Sequence, residues 1–286
     1  MNDYLALKKA WIISPKALIQ NIHHEKNDLT HPNYSLFLDI DGTLADFTSD
    51  PSQTTLNQRN FNIIQKLVNN SIIISIVTGR SLDQAKTFFP NLALNIAGTH
   101  GLEMQLKNID THISMPHTHY NPEDLNQIKH EINQLCLSQP HIRIEHKPYS
   151  IALHYREHPQ YKNQALHFLE QVQAKNLNFK IIQGKYVFEL IPIQANKGNA
   201  IQRIIQQYKL ENSIALFIGD DFTDEAGFEV INQVGGISIK VGAGDTQARF
   251  RLENTMAVTD FLELFAQHIQ QEKIKSSVKL LENTHV

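Results

Sequence analysis

The sequence predicts an α/β fold, a doubly wound parallel sheet interrupted by a smaller inserted α+β unit. Three observations carry this. Short, β-branched apolar runs at residues 34–40, 72–77 and 92–97 alternate with segments of helical spacing, the grammar of parallel strands joined by crossover helices. The same grammar returns after Lys197, with apolar runs at 214–218 and 236–241. Between the two blocks the pattern becomes helix, strand, strand, repeated once, which no parallel crossover scheme produces. A chain of 286 residues has room for one large domain or two modest ones.

Residues 34–40 read as a strand buried on both faces. Leu56, Phe61, Ile64, Leu67 and Val68 recur at roughly helical intervals, so 56–68 is a helix. The strand at 72–77 runs into Thr78-Gly79-Arg80-Ser81, and Ser81 caps a helix through about Phe89, ahead of Pro90. The strand at 92–97 ends in Gly98-Thr99-His100-Gly101, and 103–115 reads as a hairpin turning at Asn108-Ile109-Asp110. Asn121-Pro122 opens a helix to about Ser138, followed by strands near 142–146 and 150–155. Pro159 starts a second helix to about Lys175, followed by strands near 179–183 and 186–191. Beyond Asn196-Lys197-Gly198 a helix carries Ala200, Ile201, Ile204, Ile205 and Tyr208. The strand 214–218 ends in Gly219-Asp220-Asp221, 222–232 is helical, and 246–251 and 259–270 are closing helices after the strand at 236–241. The expected division is a leader at 1–33 of unassigned order, with room for one short helix; a core at 34–103 and 192–270; an inserted cap at 104–191; and a frayed tail at 271–286.

Composition excludes several classes of function. The chain is 41% hydrophobic and 19% charged, with 26 basic against 29 acidic residues, which is no footprint for nucleic acid or an anionic membrane. No run approaches the ~18 apolar residues of a membrane span. Ala10-Trp11-Ile12-Ile13, after Lys8-Lys9, is too short for a secretory core and is broken by Ser14-Pro15, so a cytoplasmic location is expected. The lone Cys136 rules out an internal disulfide and reads as an apolar filler within a helix. The fifteen histidines, among them His23-His24 and His112, His117 and His119, lack cysteine pairs or i,i+4 partners and read as solvated rather than zinc-binding.

Residues i and i+2 of a strand face the same way, so Asp39 and Asp41 project together where the first buried strand ends. Two crowded carboxylates repel and lose hydration, a cost usually offset by a divalent cation. Ligands of open parallel sheets sit at these strand ends. Thr78, His100 and Asp220-Asp221 also follow strands, and Lys197 precedes a helix that packs on the same sheet. Each alone is ordinary: a capped turn, a strand-to-helix turn, a surface lysine, an acidic helix start favoured by the macrodipole. In this order they supply carboxylates for a metal, a hydroxyl and a cation for phosphate, and a nucleophile.

Asp39-Ile-Asp41-Gly-Thr-Leu, Thr78-Gly-Arg80, Lys197 and Gly219-Asp220-Asp221-Phe-Thr-Asp224-Glu resemble the four motifs of the haloacid dehalogenase superfamily of phosphohydrolases. More narrowly, Gly98-Thr-His100-Gly-Leu-Glu103, Gly184-Lys185-Tyr-Val-Phe-Glu189-Leu-Ile-Pro192 and Gly219-Asp-Asp-Phe-Thr-Asp-Glu resemble the trehalose-6-phosphate phosphatases, over residues 34–265 with the insert as a cap. The resemblance implies Mg2+-dependent hydrolysis of trehalose 6-phosphate to trehalose and phosphate through an aspartyl-phosphate, the last step of trehalose biosynthesis. It makes Asp39 the nucleophile and Asp41 the general acid and then base, while Thr78, Gly79 and Lys197 hold phosphoryl oxygens. Asp39, the backbone carbonyl of Asp41 and Asp220 become Mg2+ ligands, and Asp221 or Asp224 holds metal-bound waters. Arg80, His100, Glu103, Lys147, His154, Arg156, Lys185 and Glu189 fall to substrate contact or cap closure, although Glu103, Lys147 and Arg156 equally read as surface ion pairs. Lys185 and Glu189 are four apart, so in a single strand they share a face. The expected partner is a small phosphosugar, with no nucleic acid and no membrane, and a monomer is expected. The rivals are a phosphatase for sucrose-6-phosphate or mannosyl-3-phosphoglycerate, a phosphosugar mutase, and a non-catalytic module, the last opposed by the complete acid set.

Overall fold

The structure, a computed structural model, describes residues 11–24, 33–48, 53–107, 112–114, 122–184 and 186–283. In chain order its elements are β1 (Trp11–Ile12), α1 (Pro15–His24), β2 (Asn33–Leu38), α2 (Gln58–Asn69), β3 (Ile73–Val77), α3 (Leu82–Thr87), β4 (Asn95–Gly98), β5 (Glu103–Gln105), β6 (His112–Ser114), α4 (Pro122–Cys136), β7 (Arg143–His146), β8 (Ile151–His154), α5 (Lys162–Gln173), β9 (Phe179–Gly184), β10 (Val187–Pro192), α6 (Lys197–Gln207), β11 (Ser213–Gly219), α7 (Glu225–Gln233), β12 (Ile237–Val241), β13 (Phe250–Leu252) and α8 (Thr255–Asn283).

The larger sheet has the order β1-β13-β12-β11-β2-β3-β4-β5-β6, parallel from β1 to β4 and antiparallel beyond. β2 lies near its centre because it is apolar on both faces. Leu36 and Leu38 pack with α1, α2 and α8, while Phe37 points the other way into a cluster with Phe217 and residues of α6 and α7. A mixed, mainly parallel sheet covered on both sides is the doubly wound architecture the strand-helix alternation predicts.

The second sheet, β7-β8-β10-β9, is wholly antiparallel and rests on α4 and α5. Strand alternation divides its residues: Ile151, Leu153, Phe188 and Leu190 face the helices, and Glu145, Val187 and Glu189 face a cavity against the larger sheet. The return from β10 to α6 is short. Residues 193–196 are tied back to the smaller sheet, the Ile193 amide donating to the Asn178 carbonyl at 3.0 Å and Lys180 Nζ to the Ala195 carbonyl at 2.7 Å.

Four expectations change. The hairpin at 103–115 belongs to the larger sheet, with Glu103 paired to Gly98, so the inserted unit starts after Ser114 rather than at 104; its turn at 108–110 lies outside the described residues. The helix expected at 246–251 is replaced at its end by β13, because so short a segment cannot nucleate a helix and the edge of β12 offers ladder partners. The leader contributes to the core: Trp11–Ile12 extends the sheet edge, and Leu18 and Ile22, one helical turn apart, are fully buried with Phe261 and Phe265 in one cluster. The tail expected to fray is helical to Asn283, since α8 is anchored by Phe261, Leu262, Phe265 and Ile269 and meets no Gly or Pro to stop it. His112 sits on β6, and His117 and His119 lie outside the described residues. Among the described residues no helix is long and apolar enough to cross a membrane.

Leu18→Ala should destabilise the protein by about 2–5 kcal/mol, the range for emptying a fully buried leucine site. Urea denaturation measures it, and an unchanged midpoint would show that α1 does not belong to the folded core.

Candidate active site

The loop after β2 holds the first acids. The Asp39 amide donates to the Ile218 carbonyl at 3.1 Å, continuing the β2–β11 ladder one residue past its end, and Gly42 then turns the chain with φ of 76°. A Cβ at Gly42 would stand 2.3 Å from Asp220 Oδ2, so only glycine lets the two acidic loops approach this closely.

Lys197 opens α6, whose first amides are capped by the Asn196 side chain. Its side chain is 2% exposed, with Nζ 3.0 Å from Asp39 Oδ1 and 2.7 Å from Asp224 Oδ1. The other oxygen of Asp224 accepts from the amides of Asp220 (3.0 Å) and Asp221 (2.9 Å). Asp224 is therefore fully committed to shaping the loop. Asp220 is not: its Oδ1 is buried and has no partner among the described residues. Oxygens of Asp39, Asp220 and Asp224 lie within 4.8 Å of one another. Burial pushes Asp39 up to about 7 against the pull of Lys197, and burial with the Asp39 charge pushes Asp220 up to about 9. An orphaned buried oxygen facing a second desolvated carboxylate is the donor set of a hard divalent cation, so the residues present fit Mg2+.

Asp41 lines the same cavity and is gripped by both arms of Arg80, Nε to Oδ2 at 2.7 Å and Nη2 to Oδ1 at 2.6 Å. Thr78 is buried, its hydroxyl accepting from the Arg80 amide at 3.2 Å. The His100 ring lies over Gly79, where a Cβ would come within 2.7 Å of it, and burial lowers its pKa.

The smaller sheet closes over these groups and bounds a cavity of about 390 Å³. Lys147 Nζ is 2.8 Å from Glu189 and 3.4 Å from the Gly79 carbonyl, joining the two sheets. Glu189 also accepts from the Ser150 hydroxyl and lies 3.9 Å from His100 Nε2. Burial alone would raise the Glu189 pKa, but Lys147 and His100 outweigh it and hold the carboxyl well below the usual range. His154 and Glu145 pair at 2.8 Å. Arg156 donates to the Thr48 carbonyl and lies over Phe47 and Tyr186, a second link between the sheets.

Asp39, Asp41, Thr78, Gly79, Arg80, His100, Lys147, His154, Arg156, Glu189, Lys197, Asp220 and Asp221 thus line one cavity. Glu103 does not. Its carboxylate is spent inside the core, accepting from the Leu82 amide at 3.2 Å and the Thr99 hydroxyl at 2.8 Å, where it orients the loops after β3 and β4. Lys185 lies outside the described residues. Arg143 and Glu145 were missed, although their i,i+2 spacing ahead of Lys147 was a readable signal. Phe47 and Thr48 were missed too, in a polar loop with no periodicity to flag them.

A carboxyl whose pKa rises on folding keeps a proton that the unfolded chain has already lost. The cation-free protein should therefore lose stability as pH climbs from the ordinary value of 3.8 through about 7 for Asp39 and about 9 for Asp220. The rise in melting temperature on adding Mg2+ should accordingly grow between pH 5 and pH 9. Thermal melts across that range test this, and a pH-independent increment would count against a shared ion.

Over residues 37–256 the chain matches the model of the trehalose-phosphatase family. It is 31% identical over 241 residues to the trehalose-6-phosphate phosphatase of Escherichia coli K12, covering 84% of this chain and 89% of that protein. It is 33% identical over 214 residues to a probable trehalose-phosphate phosphatase of Sinorhizobium fredii, covering 73% and 78%. Among solved structures, a trehalose-6-phosphate phosphatase related protein superposes with a TM-score of 0.71 at 25% identity, over 83% of this chain and 99% of that one. The C-terminal domain of the C. albicans trehalose-6-phosphate phosphatase shares the fold with a TM-score of 0.79 at 20% identity, over 91% and 99%. A haloacid dehalogenase-like hydrolase from B. subtilis shares it with a TM-score of 0.55 at 14% identity, over 80% and 98%. A family match across most of the chain, joined by a bacterial relative aligned nearly end to end, leaves one placement: this chain belongs to the trehalose-phosphatase family and is a phosphatase.

Proposed function

We propose that the enzyme hydrolyses trehalose 6-phosphate to trehalose and inorganic phosphate, with Asp39 as nucleophile. The observation that carries this reading is the buried Asp39, held by Lys197 and facing the unpartnered Asp220 beneath a lid of charged side chains. Phosphoryl transfer asks for positioning and charge neutralisation more than for covalent machinery, and these residues offer both.

Asp39 and Asp220, with the backbone carbonyl of Asp41, would hold Mg2+. Bound there, it would neutralise negative charge on the transferring group. An Asp39 oxygen forms a bond to phosphorus while the bond from phosphorus to the sugar oxygen breaks, and Asp41 delivers a proton to that leaving oxygen. In the second half, Asp41 takes a proton from water as the water oxygen attacks phosphorus, and the bond to Asp39 breaks. Arg80 holds both Asp41 oxygens, so it orients the acid and has to release one oxygen for each proton transfer. Lys197 and the Thr78 hydroxyl face the phosphoryl oxygens, and Asp224 keeps Lys197 in place.

The sugar falls to the smaller sheet. Glu145, Lys147, His154 and Glu189 present charged and hydrogen-bonding groups suited to a face of hydroxyls, and Arg143 adds a guanidinium. Lys147 and Arg156, bonded to core carbonyls, also act in closure, which excludes bulk water from the intermediate. The reading takes the enzyme as a cytoplasmic monomer that completes trehalose biosynthesis.

Phosphate release from a panel of phosphosugars, with and without Mg2+, should show preference for trehalose 6-phosphate and loss of activity with chelator. Equal or greater turnover of sucrose-6-phosphate or mannosyl-3-phosphoglycerate would refute the substrate assignment. Asp39→Asn should abolish turnover without loss of fold, and Asp41→Asn should slow it by about 10²–10⁴-fold, the usual worth of general acid–base catalysis. Full activity in the first variant would remove the nucleophile.

A further inference from the structure

Lys240, near the end of β12, takes no part in the mechanism above. It is the register partner of Gly219, the residue just before Asp220, so its side chain leaves the sheet beneath the acidic loop. It is 4% exposed, and its ammonium donates to the backbone carbonyl of Asp220. Among the described residues no carboxylate pairs with it. Its other register neighbour is Arg251, also buried, whose guanidinium donates to the carbonyls of Gly242 and Gly244. Two cations therefore sit side by side in the sheet, and the Lys240 ammonium faces a neutral carbonyl. Like charges directly opposite one another on a sheet are destabilising, and burying an ammonium is costly even with the Asp221 charge in range of it. A methionine of similar length would pack there at less cost, so the head group needs an explanation.

The Asp220 peptide supplies one. Its amide, with that of Asp221, is held by Asp224, and its carbonyl is held by Lys240. The loop is thus fastened from both sides, while among the described residues the Asp220 Oδ1 has no partner and the Asp220 carboxylate lies within 4.8 Å of those of Asp39 and Asp224. We propose that Lys240 is a positioning residue for the cation site, fixing the Asp220 peptide so that its carboxylate is presented ready-made to an ion shared with Asp39. The proposal rests on the cation reading above.

The sign of the effect separates positioning from simple electrostatics. Lys240 carries the same charge as the ion, so if its field were what mattered, removing it would tighten binding. If it positions the loop, removing it loosens binding, by about tenfold to a hundredfold, the usual cost of losing a residue that orients a ligand. The test is direct Mn2+ binding to the full chain without substrate, by electron paramagnetic resonance titration, on wild type, Lys240→Met and Lys240→Arg. Circular dichroism checks each fold, and Lys240→Gln replaces the methionine variant if that does not fold. The expected result is one tight Mn2+ in wild type, weaker binding by the stated factor in Lys240→Met, and recovery of most of the affinity in Lys240→Arg, which restores a charged donor. At saturating metal, the KM of Lys240→Met for phosphosugar should stay within about twofold of wild type, because the sugar contacts are untouched. Unchanged or tighter Mn2+ binding in Lys240→Met would overturn the proposal, as would an arginine variant no better than the methionine one. Absence of Mn2+ binding in wild type would instead overturn the cation reading on which it stands.

Discussion

The ammonium of Lys197, enclosed between Asp39 and Asp224, is the contact on which the site depends. A buried ion pair is retained only when its charges are well matched, and removing one member strands the other at a cost of about 3–5 kcal/mol. Here one cation serves two carboxylates, and a third, Asp220, stands close by with its Oδ1 unbonded among the described residues. The cluster is short of positive charge by construction. Burial raises the Asp39 and Asp220 pKa values, the neighbouring carboxylate charges add to it, and under the proposed reading a hard cation would relieve that repulsion. Asp224 satisfies Lys197 and two backbone amides at once, so the loop after β11 and the start of α6 cannot shift independently.

The second sheet solves a different problem with the same economy. Along β10, Phe188 and Leu190 pack on helices while Glu189 reaches the cavity, so one strand both builds a core and supplies polar recognition. Glu189 is shared by Lys147, Ser150 and His100, which come from both sheets. Because the paired side chains are buried, such pairs are stronger than they would be in water. A substrate entering it has to repay those contacts with its own hydroxyls, and that exchange is a source of selectivity.

Much of this was legible in the sequence. Apolar runs followed by acids, a hydroxyl or a lysine gave the strand ends, since in parallel sheets the buried strand and the chemistry at its tip are written consecutively. Periodicity failed where tertiary contacts decide. Phe250–Leu252 is a strand only because β12 leaves an edge beside it, and Leu18 and Ile22 are core residues only because α8 comes back from far along the chain. Glu103 shows the limit of motif reading: its neighbourhood matches the family, yet its carboxylate bonds a backbone amide and a threonine rather than facing the cavity. Lys240 carried no local signal at all, because its meaning lies in the loop of the adjacent strand.

The short return from β10 to α6 has a mechanical consequence. Residues 193–196 are bonded to the smaller sheet through Asn178 and Lys180, and Lys197 follows immediately as the first residue of α6. The pivot on this side is therefore confined to the bonds around Ala195 and Asn196. Any swing of the smaller sheet is transmitted to the lysine that bridges Asp39 and Asp224, so a hinge motion and a loosening of the acid cluster become a single movement.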